Sequence, residues 1–562
     1  MIAVGAVEAA IAKRMFSDKQ YAQIFARFGR KSCGVCHNES LGIGYVAALN
    51  RFTDFRNFLF DAARLYRRLN QHPKDPILAF DHDTTLADLM TQGGDARIVL
   101  DPQTRLNRYS SGPYPRDVLA LASSTANDLS VDAAAYLSVE YGADAESLNA
   151  GNAYAYALEQ SRAQIRSAYN LASDIDIFFA PSGTDLEYVP LFASAGKGAN
   201  GVSNLLLGAD EVGSGCIHSA AGRYFANETA LGNVVTPGQP VENMVAVEMG
   251  DFPVRDAMGT AFDGPAIAAQ MGPKIADALL ADLHPLVHIV HGSKTGLVLP
   301  HLDEIDALIA RFGDAVSFVV DACQARITTP AIHDYLQRGI IVFLTGSKFM
   351  GGPPFSGFAL LPPAIAANAA PLPMGAAQIF RRAEVPAGWA GREALDDSGN
   401  AGLALRLAAS LFELERFQKL SIAKVSRLVG AFTDATDKLA AALNVRKVGA
   451  AAPSEAGEPA GHPIEMQTLV TLDLCHAQSG NQIRTIDFDG ATAIHKALIG
   501  QGIRLGQPVK CVKLTDDRWG ATVRIGISMP QLVKLSAYDD AEIAAALNAM
   551  MDRIAASLGA LL

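Results

Sequence analysis

The sequence predicts an α/β protein with a mostly parallel sheet flanked by helices, and three observations support this fold class. Residues 151 to about 400 alternate apolar strand patterns with helical patterns, which is the order typical of a parallel sheet. Three apolar runs in this stretch end in polar clusters, at residues 175–184, 319–326 and 340–354. The chain has 562 residues, of which 49% are hydrophobic, and this is enough to bury a large core.

Residues 1–104 precede the alternating pattern and are predicted to form a helical N-terminal extension. Apolar side chains recur there at the spacing of a helix. The clearest set lies in residues 51–71: Phe52, Phe55, Phe58, Leu59, Ala62 and Leu65. Packing on a partner subunit and shielding of a site are the ordinary roles of such an extension. The sequence does not choose between them.

A cysteine and histidine cluster in this extension matches a known attachment pattern. Cys33, Cys36 and His37 have the spacing of c-type haem attachment. Haem attachment requires an exported chain, and residues 1–19 show no basic region followed by an apolar region and a cleavage site. We therefore predict no haem here, and the candidate site includes no metal ligand. An incidental pair is favoured over a metal or redox role, which stays open.

Residues 77–86 resemble the nucleophile motif of haloacid-dehalogenase phosphatases. In that motif a first aspartate attacks phosphate and a second acts as acid and base, positions that Asp81 and Asp83 would take here. That fold needs a full domain of its own. Here the alternating α/β pattern follows within a few dozen residues, so we predict no phosphatase activity.

The cluster at residues 175–184 has the order of an anion-binding turn. An apolar strand pattern leads into a Ser-Gly-Thr turn, Ser182 to Thr184, and a helical pattern runs from Asp185 to about Ala195. Free backbone N–H groups at a helix start bind anions, and the two hydroxyls add donors. Taken alone the motif is ambiguous, because Ser and Thr are also ordinary helix N-caps.

The cluster at residues 319–326 places an acid at the end of a predicted strand. In open α/β sheets the ligand lies beyond the carboxyl ends of the strands, so Asp321 is expected to point at a site. An acid there would hold a pyridine nitrogen protonated and make that ring a better electron sink. Gln324 would then reach a ring hydroxyl. In isolation, the acid fits a cap on the next helix at least as well.

The cluster at residues 340–354 delivers one lysine, Lys348, from an apolar strand into a turn rich in glycine and proline. Loss of hydration favours the neutral amine. A neutral amine is what a carbonyl cofactor needs to form a Schiff base. An isolated Ser-Lys pair is more often an exposed loop, and only the two upstream motifs make the functional interpretation the stronger one.

In this order along the chain, the three motifs resemble the fold-type I pyridoxal-phosphate enzymes. The likeness is greater to their class V aminotransferase and cysteine desulfurase branch, and it covers roughly residues 105–540. It implies pyridoxal 5′-phosphate as cofactor and a large domain with a sheet of the seven-stranded type. It also implies that Ser182, Gly183 and Thr184 bind the phosphate. Asp321 would pair with the pyridinium, and Lys348 would carry the internal aldimine.

The resemblance adds further residues to the expected cofactor site. Residues 291–296 resemble the family's turn ending in Thr-Gly, and they place Ser293 over the cofactor. Relatives stack a ring residue on the cofactor from the region around residues 209–215, where this chain has none. His218, or a smaller group such as Val212 or Ser214, would cover the ring. Gln324 would approach the ring oxygen. The remaining expected residues flank the lysine: Thr345, Ser347 and Ser356, the last reaching the phosphate of a partner subunit.

The resemblance also divides the chain into three parts. Residues 105–430 correspond to the large cofactor-binding domain, and within it residues 105–150 resemble the arm that lines the substrate entrance in relatives. Residues 431–562 correspond to a smaller α+β domain, and residues 449–461 form an Ala/Gly/Pro/Glu-rich loop. That domain carries two candidate substrate-binding residues: Arg524, our first choice for gripping a carboxylate, and Arg504.

The resemblance implies an enzyme acting on an amino-acid-type substrate, and aminotransferase is our leading prediction. A Cβ or Cγ lyase of the cysteine desulfurase type is the alternative, followed by a decarboxylase or a biosynthetic bond-forming enzyme. A desulfurase needs a reactive cysteine on a mobile loop. Cys511 lies near that place, but Ser347 stands where desulfurases usually carry histidine. Fold resemblance alone does not separate these reactions.

Composition restricts the partners. The net charge of −11, without a basic stripe, argues against nucleic acid. The sequence has no apolar run of transmembrane length, so no membrane partner is expected. Six cysteines in this length do not make a disulfide framework, and we predict a cytoplasmic protein. Relatives are mostly dimers, so the resemblance implies a homodimer.

Overall fold

The computed structural model describes residues 84–208, 211, 216–256, 258–363, 365–448, 468–476, 478–479, 482–483 and 485–562. All of these belong to one compact unit, Phe80–Leu562. The described strands are β1 (Leu119–Leu121), β2 (Asp176–Ala180), β3 (Gly201–Leu207), β4 (Val247–Phe252), β5 (Leu283–His291), β6 (Val298–Leu299), β7 (Ser317–Asp321), β8 (Ile341–Thr345), β9 (Gly357–Leu361), β10 (Arg446–Val448), β11 (Leu469–Asp473), β12 (Gln478–Ser479), β13 (Gln482–Ile483), β14 (Ile503–Leu505) and β15 (Thr522–Gly526).

The described helices surround these strands. They are α1 (Thr84–Leu89), α2 (Val131–Glu140), α3 (Gly151–Ala168), α4 (Tyr188–Ser194), α5 (Cys216–Ala220), α6 (Gly264–Leu280), α7 (Leu302–Phe312), α8 (Thr329–Gln337), α9 (Ile365–Asn368), α10 (Ala401–Gln418), α11 (Ile422–Ala442), α12 (Phe488–Gly500), α13 (Met529–Leu535) and α14 (Asp540–Gly559). None of them is both long and apolar enough to cross a membrane.

The main sheet has the strand order β2-β9-β8-β7-β5-β3-β4, with β6 paired to β5 beside this path. The pairs β8/β7, β7/β5, β5/β3 and β3/β4 are parallel, whereas β9 runs antiparallel to both of its neighbours. Strands β3, β5 and β8 are buried along their whole length, as expected when helices cover both faces of a parallel sheet. This sheet confirms the predicted fold class.

The topology explains where a site forms. Strands β2, β3, β5, β7 and β8 point the same way, so the loops that follow them meet along one edge of the sheet. Each of the three polar clusters predicted from the sequence follows one of these strands. All three clusters therefore lie at the carboxyl edge of the sheet, and none lies at the amino edge.

The core beside β2 is aromatic. Phe178 packs edge-to-face on Phe380 and Trp389, with ring centroids 5.0 and 5.7 Å apart. Phe192 of α4 adds a further edge contact to Phe380 at 5.9 Å. Buried aromatic pairs of this geometry stabilise by about 0.5–1.5 kcal/mol beyond their buried area. They hold the loop between β2 and α4 against the sheet.

Residues after α10 form a second layer of structure. Strands β10, β11 and β15 make an antiparallel sheet, and α11 packs against α14. Helix α11 runs without a break through residue 430, where the sequence prediction ends the large domain. Strand β14 pairs in parallel with β1, which ties residues 119–121 to this layer.

Several predicted features lie outside the described residues. These are the helix at residues 51–71, the Cys33, Cys36 and His37 cluster, Asp81 and Asp83, Val212, Ser214 and the loop at residues 449–461.

Candidate active site

A cavity of about 490 Å³ opens at the carboxyl edge of the main sheet. It brings together most of the site residues predicted from the sequence. These are Ser182, Gly183, Thr184, Ser293, Asp321, Gln324, Thr345, Ser347, Lys348 and Arg524.

The Ser-Gly-Thr turn forms one end of the cavity. The backbone N–H groups of Thr184 and Asp185 donate to Ser182 Oγ over 3.2 and 3.3 Å, and that hydroxyl donates to Asp185 Oδ2 over 2.5 Å. Burial raises the pKa of Asp185 to about 7, although the bond from Ser182 acts the other way. A Cβ on Gly183 would lie 3.0 Å from Thr345 Cγ2, so glycine keeps this wall open. The turn thus offers donors to an anion without an obligatory carboxylate charge beside it.

Asp321 is the last residue of β7 and is half-buried in the cavity wall. Its Oδ1 accepts from the N–H of Cys323 over 2.9 Å, which orients the carboxylate. Two buried groups lie nearby, with Glu187 Oε2 3.5 Å from His288 Nδ1. Burial raises the pKa of Glu187, with the Asp321 charge adding to it, and burial lowers the pKa of His288 to about 3. The histidine is therefore uncharged and does not compete for the Asp321 carboxylate.

Lys348 lies three residues beyond β8, half-buried in a loop that its neighbours hold in place. Asn127 Nδ2 donates to the carbonyls of Ser347 and Lys348 over 2.9 and 2.6 Å. A Cβ on Gly346 would lie 2.3 Å from Ser410 Oγ, so only glycine fits there. The amine is presented by a backbone with little freedom to move.

Gln324 is engaged at both ends of its amide. Its Nε2 donates to the carbonyl of Ser124 over 3.1 Å, and its Oε1 accepts from Arg326 Nη1 over 2.7 Å. Ser124 Oγ, which also lines the cavity, is buried and has no hydrogen-bond partner among the described residues. A buried hydroxyl of this kind normally has a partner. It marks a place where a ligand oxygen or nitrogen would be bound.

An acid occupies the region where a ring residue was sought. Glu211 lines the cavity and is buried, and its carboxylate accepts from Ser293 Oγ over 2.7 Å and from Thr295 Oγ1 over 2.9 Å. Arg255 adds an ion pair at 3.0 Å. Sequence reasoning missed Glu211. The available signal was a charged pair, Asp210 and Glu211, in an otherwise small and apolar stretch.

Arg524 lies in β15 and lines the end of the cavity formed by Thr125, Lys294 and Gln507. Its guanidinium donates to the carbonyls of Gln507 and Lys294 over 2.8 and 3.3 Å and to Thr125 Oγ1 over 3.1 Å. It forms no ion pair with any described carboxylate, and burial lowers its pKa to about 10. A buried cation with only neutral partners is suited to bind an anion.

Two lysines line the same end. Burial lowers the pKa of Lys294 to about 8, and the nearby Arg524 charge adds to this shift. Lys510 is exposed at the rim, with its Nζ 5.5 Å from the centre of the Phe488 ring. Among the described residues, Glu211 is the acid at this end, and it is bound by Arg255.

Three predicted residues do not line the cavity. Arg504 is buried in an ion pair, with its Nη2 2.7 Å from Asp128 Oδ2. His218 is exposed on α5, where Cys216 and Ile217 face the cavity instead. Ser356 is fully buried, with its Oγ 3.4 Å from Ser410 Oγ in the same chain.

Arg97 is the other residue that sequence reasoning missed, because it falls in the predicted N-terminal extension. Its Nη1 donates to Thr184 Oγ1 over 3.2 Å, and it lines the cavity beside Ser182 and Gly183. No local pattern marks it. The only signal was an Asp-x-Arg spacing, Asp95 to Arg97, shortly before the α/β pattern.

No protein-family model matches the sequence, and no curated protein is similar to it. Solved structures of similar chain path include an apo cysteine desulfurase of Thermococcus onnurineus NA1, at 15% identity over 77% of this chain and 94% of that one, with a TM-score of 0.47. The cysteine desulfurase CsdA of Escherichia coli, in an S-sulfonic acid form, is 15% identical over 78% of this chain and 94% of that one, with a TM-score of 0.46. A variant serine palmitoyltransferase of S. paucimobilis with a bound PLP–myriocin aldimine is 12% identical over 87% of this chain and 100% of that one, with a TM-score of 0.44. With such identities and scores, these likenesses assign no activity to this chain.

Proposed function

We propose that this protein is a pyridoxal 5′-phosphate-dependent enzyme that transfers the amino group of a carboxylate-bearing amine. One observation carries the proposal: Lys348, Asp321 and the Ser182–Thr184 turn line a single cavity at the carboxyl edge of the sheet. These are the three groups that the cofactor's aldehyde, ring nitrogen and phosphate require. They come from three separate loops.

The residues present fit this cofactor. The cavity of about 490 Å³ is in the range of ordinary cofactor sites. Gly183 keeps the wall beside Thr345 open, where a Cβ would approach to 3.0 Å. The unpartnered, buried Ser124 Oγ supplies a hydroxyl for the ring substituents. Donors, acid and amine are thus all of the required chemical type.

When bound, pyridoxal phosphate would supply an electrophilic carbonyl and an electron sink. Ser182, Gly183 and Thr184 would hold its phosphate through backbone N–H groups and hydroxyls. Asp321 would hold a proton on the ring nitrogen, since its carboxylate is oriented by the N–H of Cys323. Lys348 Nζ would attach the cofactor and, once displaced by the substrate amine, move the proton at the substrate's α-carbon.

Arg524 would bind and orient the substrate's carboxylate. Its guanidinium lies in the cavity with neutral hydrogen-bond partners, so a carboxylate would be its first anionic partner among the described groups. A bidentate contact of this type fixes both position and orientation. We assign this role to Arg524 and withdraw the second candidate, Arg504, whose ion pair with Asp128 is formed away from the cavity.

The described cysteines favour amino-group transfer over the desulfurase alternative. Cys511 is buried, does not line the cavity, and has its pKa raised by burial to about 12. Burial also raises the pKa of the two cysteines that do line it, Cys216 and Cys323. A persulfide-forming cysteine needs an accessible thiolate. None of these three thiols meets that requirement.

The test is an absorption spectrum of the purified protein with pyridoxal phosphate, followed by addition of amino acids one at a time. We expect a yellow band that Lys348→Ala abolishes and that an accepted amino acid converts to the pyridoxamine form with release of a keto acid. Release of sulfide or ammonia with recovery of the band would replace the transfer reaction by a lyase. Absence of the band in the wild type would refute the cofactor itself.

Two expectations from the resemblance stay predictions. A homodimer is tested by light scattering coupled to size-exclusion chromatography. A cytoplasmic location is tested by fractionation of the source cells.

A further inference from the structure

Residues 84–98, which we call the strap, are clamped onto the α/β core by one buried arginine. Arg406 of α10 is fully buried, and its guanidinium donates to the carbonyls of Met90 and Gln92 over 2.6 and 2.8 Å and to that of Gly93 over 3.2 Å. Asn400 Nδ2 donates to the same Gly93 carbonyl over 3.0 Å. A buried guanidinium that donates to three backbone carbonyls of the strap, at Met90, Gln92 and Gly93, fixes the path of the strap.

The strap ends in an arginine whose direction is set by three neighbours. Asp95 accepts from Arg97 Nε over 2.9 Å and from Nη2 over 2.7 Å. The guanidinium lies over the rings of Phe225 and Phe355, at 5.1 and 4.8 Å from their centroids. Asp95 thus engages Nε and Nη2, and Nη1 donates to Thr184 Oγ1 in the cavity wall.

Phe355 contacts both Arg406, which holds the strap, and Arg97. Its backbone has a φ of +74°, in a region that a side chain other than glycine rarely adopts. Its carbonyl accepts from Arg406 Nε over 2.6 Å, and its ring supports Arg97. A strained residue of this kind persists only where its surroundings hold it, and such residues cluster at ligand sites.

The Ser-Gly-Thr turn needs a cation that the helix behind it does not replace. Helix α4 has only seven residues and follows a 3₁₀ turn, Asp185–Glu187, so few peptide dipoles align behind the turn. Lys348 is committed to the cofactor's aldehyde in the proposed function. Among the described residues that line the cavity, Arg97 is the cation beside the turn, with Nη1 3.2 Å from Thr184 Oγ1.

We propose that Arg97 is a ligand of the cofactor's phosphate, so that the strap completes the phosphate site. This inference rests on the proposed function, because it assigns a further binding residue to the same cofactor. An arginine is positively charged at every relevant pH and can give a phosphate oxygen a charge-assisted hydrogen bond through Nη1. Binding of the phosphate and docking of the strap then stabilise each other, since both depend on the position of Arg97.

The test compares pyridoxal phosphate with pyridoxal, which has the same ring and aldehyde but no phosphate. The dissociation constant of each is measured from the visible band, for the wild type, Arg97→Met and Arg97→Lys. We expect Arg97→Met to weaken pyridoxal phosphate by about ten- to a hundredfold, as for loss of one charged hydrogen bond. Pyridoxal should change by less than about twofold, and lysine should restore part of the loss. The matched control is Arg338→Met, because Arg338 also pairs with an aspartate, Asp306, but has no contact with the strap and does not line the cavity.

Unchanged binding of pyridoxal phosphate in Arg97→Met would overturn the inference, and so would equal weakening of both ligands, which indicates a structural role. Absence of the visible band in the wild type would instead refute the proposed function, and the inference with it. Hydrogen exchange on the wild type gives a second readout that needs no variant. Strap peptides should become protected with pyridoxal phosphate and not with pyridoxal, and equal protection by both would contradict the coupling.

Discussion

The two ends of the cavity are built differently. At the proposed cofactor end, Ser182, Asp321 and Lys348 follow or end strands of one sheet, and their loops are fixed by short hydrogen bonds. At the proposed substrate end, Arg524 comes from β15 of a different sheet and Lys510 lies exposed at the rim. The first end is built mainly from one sheet, with the strap docked beside it, and the second depends on how two sheets of the fold are packed together.

The charges differ in the same way. At the cofactor end, the positive and negative charges of the cavity wall largely cancel. Asp95 forms an ion pair with Arg97, and burial raises the pKa of Asp185 to about 7, which favours its neutral form. At the substrate end, Arg524 and Lys510 line the cavity, and Arg524 has no ion pair with a described carboxylate. A preorganised, balanced region suits chemistry that is the same for every substrate. A cationic region suits recognition of an anionic substrate.

The largest expected effect tests the rigidity of the cofactor end. Gly346→Ala places a methyl group 2.3 Å from Ser410 Oγ and should lower the free energy of unfolding by about 3 kcal/mol, since the helix behind it is packed. Gly430→Ala is the control, because a Cβ there meets open space within α11 and should stabilise the protein by about 0.5–1 kcal/mol. Urea unfolding of both variants measures the two values. Equal stability of the two would contradict a tightly packed lysine loop.

The second prediction tests the substrate end. Arg524→Met should raise the dissociation constant of an accepted amino acid by about thirtyfold, or about 2 kcal/mol, because one charged contact with the carboxylate is lost. Pyridoxal phosphate affinity should stay within about twofold. Titration of the visible band with the amino acid and with its decarboxylated amine gives the measurement. If the amine is weakened as much as the amino acid, Arg524 does not bind the carboxylate.

The smallest effect concerns pH at the cofactor end. Burial raises the pKa of Asp185 from 3.8 to about 7, so the free protein loses this proton as the pH rises through about 7. A phosphate beside the carboxyl favours the protonated form, so binding above that pH must take up a proton. Affinity for pyridoxal phosphate should therefore be greatest below pH 7 and about tenfold lower at pH 8.

Asp185→Asn is the matched variant, since its amide oxygen can accept from the Ser182 hydroxyl as the carboxyl oxygen does, and the amide does not titrate. Its affinity should lack the decline above pH 7 that the wild type shows. The ionisation of the phosphate itself affects both proteins equally and cancels in the comparison. Parallel pH profiles for the two proteins would show that Asp185 carries no proton into the complex.

The sequence predicted which residues line the proposed cofactor end of the cavity better than it predicted the lining of the other end. Ser182, Asp321 and Lys348 each follow an apolar strand, and in a parallel sheet such positions share one edge, so local patterns were sufficient to bring them together. For Arg504 and Arg524 the local patterns are alike, since both lie in short apolar strands. Arg504 forms an ion pair with Asp128 instead of lining the cavity. This difference from Arg524 depends on the pairing of β1 with β14, which is a tertiary contact.

By itself, therefore, the sequence determined the α/β class. It also determined the order along the chain of the three strands that end in polar residues, and which three segments meet at the cavity. These follow from periodicity and chain direction, which are local properties. The tertiary structure alone decided that Arg97 reaches the Ser-Gly-Thr turn, that Glu211 stands where a ring was sought, and that Arg524 faces the cavity. Each of these depends on contacts between segments far apart in the chain, such as Arg406 with Gln92, and such contacts leave no periodic signal.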